Sequence, residues 1–113
     1  MKISEFRKLK KQSKYRSIKT VRDGVTFASK REASRYDQLK FLEKHKKITN
    51  LVLQPEFPIE VNGERICVYR ADFSYFYEGN ERVIEDVKGV RTPVYLLKKK
   101  LLKAAWNLEI TEI

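Results

Sequence analysis

Two stretches of the chain carry apolar residues at the three- to four-residue spacing of an amphipathic helix. In the first, Ser29 is a good N-cap, and the residues that follow predict a helix over about 30–47. In the second, Thr92 caps the helix and Pro93 suits its first turn, which predicts a helix ending near residue 106. The positions expected to be buried are Ala33, Tyr36, Leu39 and Leu42 in the first helix and Leu97, Leu101, Ala104 and Ala105 in the second.

Short apolar or alternating segments around these helices predict strands. Asp23-Gly24 and Asn62-Gly63 indicate hairpin turns, because these residue pairs adopt the positive φ angles of a type I′ turn. With Asn62-Gly63 as the loop, Val61 faces Glu64, and Ile59 faces Ile66. The expected strands comprise a small hairpin over 21–27 and the segments 51–53, 57–61, 66–77, 82–88 and 108–113.

The order of helix, three antiparallel strands, helix and strand predicts one α/β (α+β) domain over residues 21–113, after an arm over 1–20. The chain has 113 residues, of which 42% are hydrophobic, enough to bury a core. No apolar run approaches the roughly 18 to 20 residues that cross a bilayer, so we expect a cytoplasmic protein without membrane contact. The lone Cys67 is expected in the core rather than in a disulfide.

The positive charge is concentrated at the N-terminus. The formal net charge is +10, and residues 1–22 contribute nine basic side chains against one acid. Such an arm favours a polyanion as partner, because each phosphate that it neutralises releases condensed counterions. A solvated tail and a tail that binds acidic lipid are the alternatives. The arm residues expected to contact nucleic acid are Lys8, Lys10, Lys11, Lys14 and Arg16.

Two aspartates lie within predicted strands, where aspartate is disfavoured, and such violations often mark functional sites. Asp72 follows Tyr-Arg-Ala, and Asp86 begins the triplet Asp-Val-Lys that ends at Lys88. A three-residue loop after Tyr77 would oppose Asp72 with Asp86, whereas a two-residue loop would place them on opposite faces. Both registers are open from the sequence. Glu85 is expected on the face opposite to Asp86.

Paired carboxylates with few other ligands suit Mg²⁺, which retains waters and accepts phosphate oxygens. Lys88 would share a face with Asp86 and could activate a water, which is the arrangement for metal-assisted phosphodiester hydrolysis. The alternative is an exposed sheet face where the acids pair with Arg70 or Arg82. Glu32 has two interpretations: a capping-box partner of Ser29, or an inward acid that completes a metal site.

These segments together resemble the PD-(D/E)XK nuclease superfamily, and more closely a family of small phage proteins of long-unassigned function now treated as endonuclease-like. The resemblance implies a restriction-endonuclease-like αβββαβ core, a mixed sheet with flanking helices. Ala71 stands where the superfamily has proline. The matching segments are Asp23-Gly24, Phe27 to Ala33, Leu53-Gln54-Pro55, Tyr69 to Phe73 and Glu85 to Gly89.

The resemblance also implies a role for individual residues. Asp72 and Asp86 match metal ligands, and the Val87 carbonyl matches a third. Lys88 matches the lysine that positions the attacking water. Glu32 matches a helix glutamate that completes the metal site, and Gln54 matches a glutamine that supports it.

We therefore expect a Mg²⁺-dependent DNA endonuclease, with Mn²⁺ able to substitute. No feature reads bases, so branched or duplex DNA is the expected substrate, with a four-way (Holliday) junction favoured and a homodimer cutting two strands. If phage-encoded, the protein would act in the bacterial host cytoplasm. The alternatives are a non-catalytic nucleic-acid-binding protein and a basic interaction protein in phage replication, recombination or assembly. The helix residues expected to hold the DNA backbone are Lys98, Lys99, Lys100 and Lys103.

Deleting residues 1–13 tests the arm. Binding to DNA is expected to weaken, and the log-log slope of affinity against salt is expected to fall by about 0.9 for each lost duplex phosphate contact. Fluorescence anisotropy across a salt series measures both quantities. An unchanged slope would exclude the arm from the interface.

Overall fold

The computed structural model describes residues 19–78, 80–87 and 90–113. The chain divides into two compact units, Met1–Gln38 and Leu39–Ile113, and the division falls inside the first helix. The described elements are β1 (Thr20–Arg22), β2 (Val25–Phe27), α1 (Lys30–Lys44), β3 (Ile48–Leu53), β4 (Glu56–Val61), β5 (Glu64–Arg70), β6 (Phe73–Tyr77), β7 (Glu81–Asp86), α2 (Pro93–Trp106) and β8 (Ile110–Glu112). The mixed α+β class predicted from the sequence is confirmed.

The first unit contains the β1–β2 hairpin and the start of α1. Asp23 and Gly24 have φ angles of 50° and 76°, so the predicted Asp-Gly turn is confirmed. The Tyr36 hydroxyl donates to Asp23 Oδ2 at 2.8 Å, and the Phe27 and Tyr36 rings lie 4.9 Å apart. The hydrogen bond from the Tyr36 hydroxyl and the contact between the two rings thus join the hairpin to the helix. The helix ends three residues earlier than predicted, before Lys46 takes a left-handed φ of 60°.

The second unit contains a four-stranded sheet in the order β3-β6-β7-β8. The pairs β3–β6 and β6–β7 are antiparallel, whereas β7 and β8 run parallel, because α2 carries the chain across before β8. Within this sheet, three antiparallel strands, a helix and a further strand follow α1 in the chain, and the predicted segment 57–61 lies outside it. The β4–β5 hairpin forms a separate two-stranded sheet, and in the chain it lies between β3 and β6.

The long strand predicted over 66–77 is wrong, because the chain changes partners at residues 71–72. Before this point β5 pairs with β4, and Ala71 N–H donates to the Pro55 carbonyl at 3.1 Å. After it β6 pairs with β3 and β7, and Asp72 N–H donates to the Glu85 carbonyl at 3.1 Å. One apolar run therefore supplies strands to two sheets.

The Asn62-Gly63 hairpin is confirmed, and Val61 pairs with Glu64 as predicted. The predicted pairing of Ile59 with Ile66 is wrong, because an irregularity after Ile59 shifts the register and Ile59 pairs with Cys67. A bulge of this kind adds one residue to one strand and alters the pairing beyond it. Ile66 is consequently exposed, while Cys67 packs partly buried against the core.

The core of the second unit lies between α2, the β4–β5 hairpin and the sheet. Thr92 Oγ1 accepts from Tyr95 N–H at 3.1 Å, which confirms the predicted cap of α2. The predicted burial of Leu97, Ala104 and Ala105 is wrong, because all three side chains are exposed. The helix instead turns another stripe inward, so its buried residues are Tyr95 and Leu102, with Leu101 partly buried. In α1 the expected inward positions are confirmed: Ala33, Tyr36 and Leu39 are buried and Leu42 is half-buried.

No helix in the described ranges is long and apolar enough to cross a membrane.

Leu102→Ala tests the packing of α2. Leu102 is completely buried, so its truncation is expected to lower the free energy of unfolding by about 2–5 kcal/mol. Leu97→Ala on the same helix is the matched control and is expected to change it by less than about 0.5 kcal/mol, since Leu97 is exposed. Urea titration followed by circular dichroism measures both, and equal losses would contradict this assignment of the buried stripe.

Candidate active site

The pairing of β6 with β7 decides which of the two registers left open by the sequence is correct. Tyr77 pairs with Glu81, and Phe73 pairs with Glu85. The chain therefore turns with three residues between the strands. One position beyond the Phe73–Glu85 pair, Asp72 meets Asp86. Directly opposed residues share a face of the sheet, so the two carboxylates lie on the same side.

Hydrogen bonds to the backbone fix both carboxylates. Asp72 N–H donates to Asp86 Oδ1 at 3.2 Å, and Val87 N–H donates to Asp72 Oδ2 at 2.7 Å. Each aspartate thus accepts a hydrogen bond from the strand that carries the other. Asp86 is 1% exposed and Asp72 is half-buried. Carboxylates on the same side of one register position repel each other, and a cation between them reduces that repulsion.

The Gln54 backbone borders this pair. Gln54 N–H donates to the Asp72 carbonyl at 2.9 Å, and Gln54 has a φ of 50°, which is unusual for a residue other than glycine. The hydrogen bond attaches the end of β3 to the segment that positions Asp72. The predicted role of the exposed Gln54 side chain in supporting the site stays a prediction.

Glu32 lies in the first turn of α1 and is buried. Its N–H donates to Ser29 Oγ at 3.1 Å, which confirms Ser29 as the N-cap and one of the two hydrogen bonds of a capping box. An acid in the first turn also interacts favourably with the helix dipole. The assignment of Glu32 to a metal site stays a prediction.

Several predicted site residues lie outside the described residues. Lys88, the predicted water-positioning lysine, is one of them. The arm residues are the others: Lys8, Lys10, Lys11, Lys14 and Arg16. Val87 lies within the described residues, and its N–H donates to Asp72. The role of its carbonyl oxygen as a metal ligand stays a prediction.

The four lysines predicted to hold DNA do not share one environment. Lys98 Nζ lies 3.4 Å from the Val68 carbonyl, and Lys103 pairs with Glu109 at 3.2 Å. Lys99 pairs with Glu112 at 3.2 Å, and Lys100 is exposed. Four residues this close in sequence project around more than one side of a helix. Their predicted contact with DNA stays a prediction.

A third acid, Glu112, lies beside Asp86 and was not singled out from the sequence. Asp86 and Glu112 are register partners in the parallel β7–β8 pair, and Ile113 N–H donates to the Asp86 carbonyl at 2.9 Å. Glu112 accepts from the Tyr95 hydroxyl at 3.1 Å and pairs with Arg91 at 3.1 Å. The available signal was the spacing of Tyr95 and Lys99, which places them one turn apart on α2, whereas Arg91 lies before the helix.

The electrostatics of this group follow from its packing. Burial raises the pKa of Tyr95 well above its ordinary value, and the hydrogen bond to Glu112 and the charges of Glu112 and Asp86 add to the rise. The phenol therefore stays protonated and donates. Desolvation tends to raise the pKa of Glu112, but the hydrogen bonds from Lys99 and Tyr95 and the charges of Arg91 and Lys99 together outweigh it, so the pKa lies below its ordinary value.

Glu85 lies on the opposite face from Asp86, as predicted from the alternation of strand residues, and it is completely buried. Its Oε2 accepts a short hydrogen bond from the Tyr75 hydroxyl. A buried acid needs such a partner. This hydrogen bond could not be predicted from the sequence, because Tyr75 becomes a neighbour of Glu85 only through the β6–β7 register.

Asp72 and Asp86 supply hard oxygen ligands of the kind that Mg²⁺ prefers. The part of the chain that the structure describes contains no group of three or more His, Cys, Asp or Glu side chains arranged to hold a metal ion. Two carboxylates nevertheless fit Mg²⁺, which is commonly bound through one or two carboxylates with waters and substrate phosphates. The donor set therefore suits a site that substrate completes.

Comparison with known proteins assigns the chain to a family. The family described as "Protein of unknown function (DUF1064)" matches residues 12–112. The chain belongs to this family. Comparisons with curated proteins and with solved structures gave no match. The resemblance to the PD-(D/E)XK superfamily stays a prediction.

Asp86→Asn tests the repulsion between the two carboxylates. Asn retains the Oδ1 acceptor for Asp72 N–H, and its amide can donate towards Asp72. In the absence of divalent metal we expect the free energy of unfolding to rise by about 1 kcal/mol at neutral pH. Urea denaturation in EDTA measures it, with Glu60→Gln on exposed β4 as the acid-to-amide control. A marked loss of stability in Asp86→Asn alone would show that repulsion does not dominate.

Proposed function

We propose that the chain is a Mg²⁺-dependent DNA endonuclease that hydrolyses phosphodiester bonds, with Asp72 and Asp86 as the residues that hold the ion. The observation that supports this most strongly is the meeting of the two carboxylates at one register position, each fixed by a backbone N–H. Two acidic side chains brought together at least partly out of solvent are typical of a functional site.

The arrangement of the second unit also supports the proposal. The order of three antiparallel strands, helix and parallel strand matches the core that the PD-(D/E)XK resemblance implies. In that core the first acid comes from one strand and the second from the next; here Asp72 immediately precedes β6 and Asp86 ends β7. Family membership leaves the activity open, so the proposal depends on the site itself.

Each residue would have a distinct task in the reaction. Asp72 and Asp86 would hold Mg²⁺ or Mn²⁺, with the Val87 carbonyl as a further ligand. The bound ion would polarise the scissile phosphate and favour formation of the attacking hydroxide. Lys88 would position the water and stabilise charge on the phosphate. The roles that the resemblance implies for Glu32 and Gln54 remain part of this proposal.

The substrate follows from charge rather than from base recognition. The basic arm and the α2 lysines provide contacts to phosphates, which position a protein on DNA but carry no sequence information. Structure-selective cleavage of branched DNA, with a four-way junction preferred, is therefore proposed. A homodimer would supply two sites for two strands, and sedimentation showing a monomer both free and on junction DNA would overturn that part.

Isosteric variants of the two aspartates test the reaction. Asp72→Asn and Asp86→Asn are each expected to lower Mg²⁺-dependent cleavage by at least about 100-fold, because a neutral amide holds the ion poorly. DNA binding should be retained or strengthened, since the removed carboxylate repelled phosphate. Gel assays on labelled four-way junction, duplex and single-stranded DNA, with Mg²⁺, Mn²⁺ or EDTA, measure cleavage, and anisotropy measures binding.

Glu60→Gln serves as the matched control, because it makes the same chemical change on β4 and is expected to cleave like the wild type. Binding of DNA by the wild type without metal-dependent cleavage of any substrate would contradict the proposal. That result would favour the alternative, a non-catalytic nucleic-acid-binding protein.

A further inference from the structure

Next to the proposed metal-binding pair, the structure contains a group of charged residues whose role is unassigned. Neighbouring strands of a sheet lie about 4.8 Å apart. Since Asp86 and Glu112 are register partners on β7 and β8, Glu112 is one strand away from Asp86, on the side opposite to Asp72. Three acids therefore lie side by side: Asp72 just before β6, Asp86 at the end of β7 and Glu112 at the end of β8.

Glu112 has two cations as neighbours. Arg91 Nε lies 3.1 Å from Glu112 Oε2, and Lys99 Nζ lies 3.2 Å from Oε1. Tyr95 lies between Arg91 and Lys99 in the chain, and its hydroxyl donates to Glu112 Oε2. One carboxylate thus orients two cations, Lys99 on α2 and Arg91 two residues before α2. The three charges sum to one positive charge.

Both cations are accessible from solvent. The side chains of Arg91 and Lys99 are 56% and 32% exposed, although both contact Glu112. The guanidinium of arginine has five N–H donors in a planar fork, and the contact with Glu112 uses one nitrogen. Arginine and lysine in such a position are well suited to a phosphate, which accepts charge-assisted hydrogen bonds.

We propose that Arg91 and Lys99, held in place by Glu112, form a subsite for a phosphate of the nucleic acid backbone beside the Asp72–Asp86 pair. The inference rests on the proposed function, because it assigns a second contact with the same substrate. It names Arg91 as a phosphate-binding residue and Glu112 as a positioning residue. Of the α2 lysines, it assigns this task to Lys99.

A purely structural role makes different predictions. If the group only attached α2 to β8, its loss would lower stability and leave the salt dependence of DNA binding unchanged. A positioning role for Glu112 also differs from a simple charge effect. Removing an acid raises the net charge and should tighten DNA binding, yet cations that are no longer oriented should support cleavage poorly.

The first experiment measures DNA affinity against salt in EDTA, so that no cleavage occurs. Arg91→Gln/Lys99→Gln is expected to lower the log-log slope by about one to two, at about 0.9 per lost duplex phosphate contact. The control, Arg65→Gln on exposed β5, should leave the slope within error. Thermal unfolding of every variant checks the fold, and Arg91→Lys, which retains the charge, should retain the slope even if packing changes.

The second experiment measures cleavage kinetics of the Glu112 variants with Mg²⁺. Glu112→Ala is expected to bind DNA as tightly as the wild type or more tightly, yet to lose at least about tenfold in kcat. Glu112→Gln, which keeps one acceptor oxygen, should recover part of the loss.

An unchanged slope in the double variant, or unchanged kcat in Glu112→Ala, would overturn the subsite. If the wild type cleaves DNA but the double variant has an unchanged slope, the subsite alone is overturned. If the double variant has a lowered slope but the wild type does not cleave, the subsite is retained and the nuclease is overturned. Failure of the wild type to bind DNA would overturn both.

Discussion

The register between β6 and β7 is the constraint on which the candidate site depends. Because Tyr77 pairs with Glu81, the two aspartates meet, and Asp72 N–H and Val87 N–H can each bind a carboxylate of the opposite strand. A slip of one residue would reverse the facing of every side chain on one strand and separate the carboxylates. The two hydrogen bonds and the strand pairing therefore stabilise one another. The chemistry proposed for the domain follows from this local geometry.

The position of β7 extends the effect of that register across the sheet. On one side β7 pairs antiparallel with β6, and on the other it pairs parallel with β8. Asp86 is thus flanked by Asp72 and by Glu112, whose surroundings differ. The aspartate pair concentrates negative charge and favours a cation, whereas Arg91 and Lys99 around Glu112 favour an anion. A phosphodiester with a bound divalent ion presents both kinds of charge, so the two groups together fit one ligand.

The features predictable from the sequence are those that depend on short-range signals. The turn glycines, the Thr92 cap and the spacing of α1 act within a few residues, and the corresponding elements are confirmed. The division of the apolar run at residues 71–72 was not predictable, because it depends on distant partners in two different sheets. Glu112 reaches Asp86 only through the parallel β7–β8 pairing, and no local pattern reports that contact. The two aspartates were found because they violate strand preference, although the register that joins them required the structure.

Binding of Mn²⁺ followed by NMR is the most direct test that the aspartate pair holds a divalent cation. Paramagnetic Mn²⁺ broadens amide resonances close to its binding site, so at low metal-to-protein ratios the amides of Asp72, Asp86 and Val87 should broaden first. The same signals should stay sharp in Asp86→Asn. Broadening centred on other acids, or equal broadening in the wild type and the variant, would contradict the account.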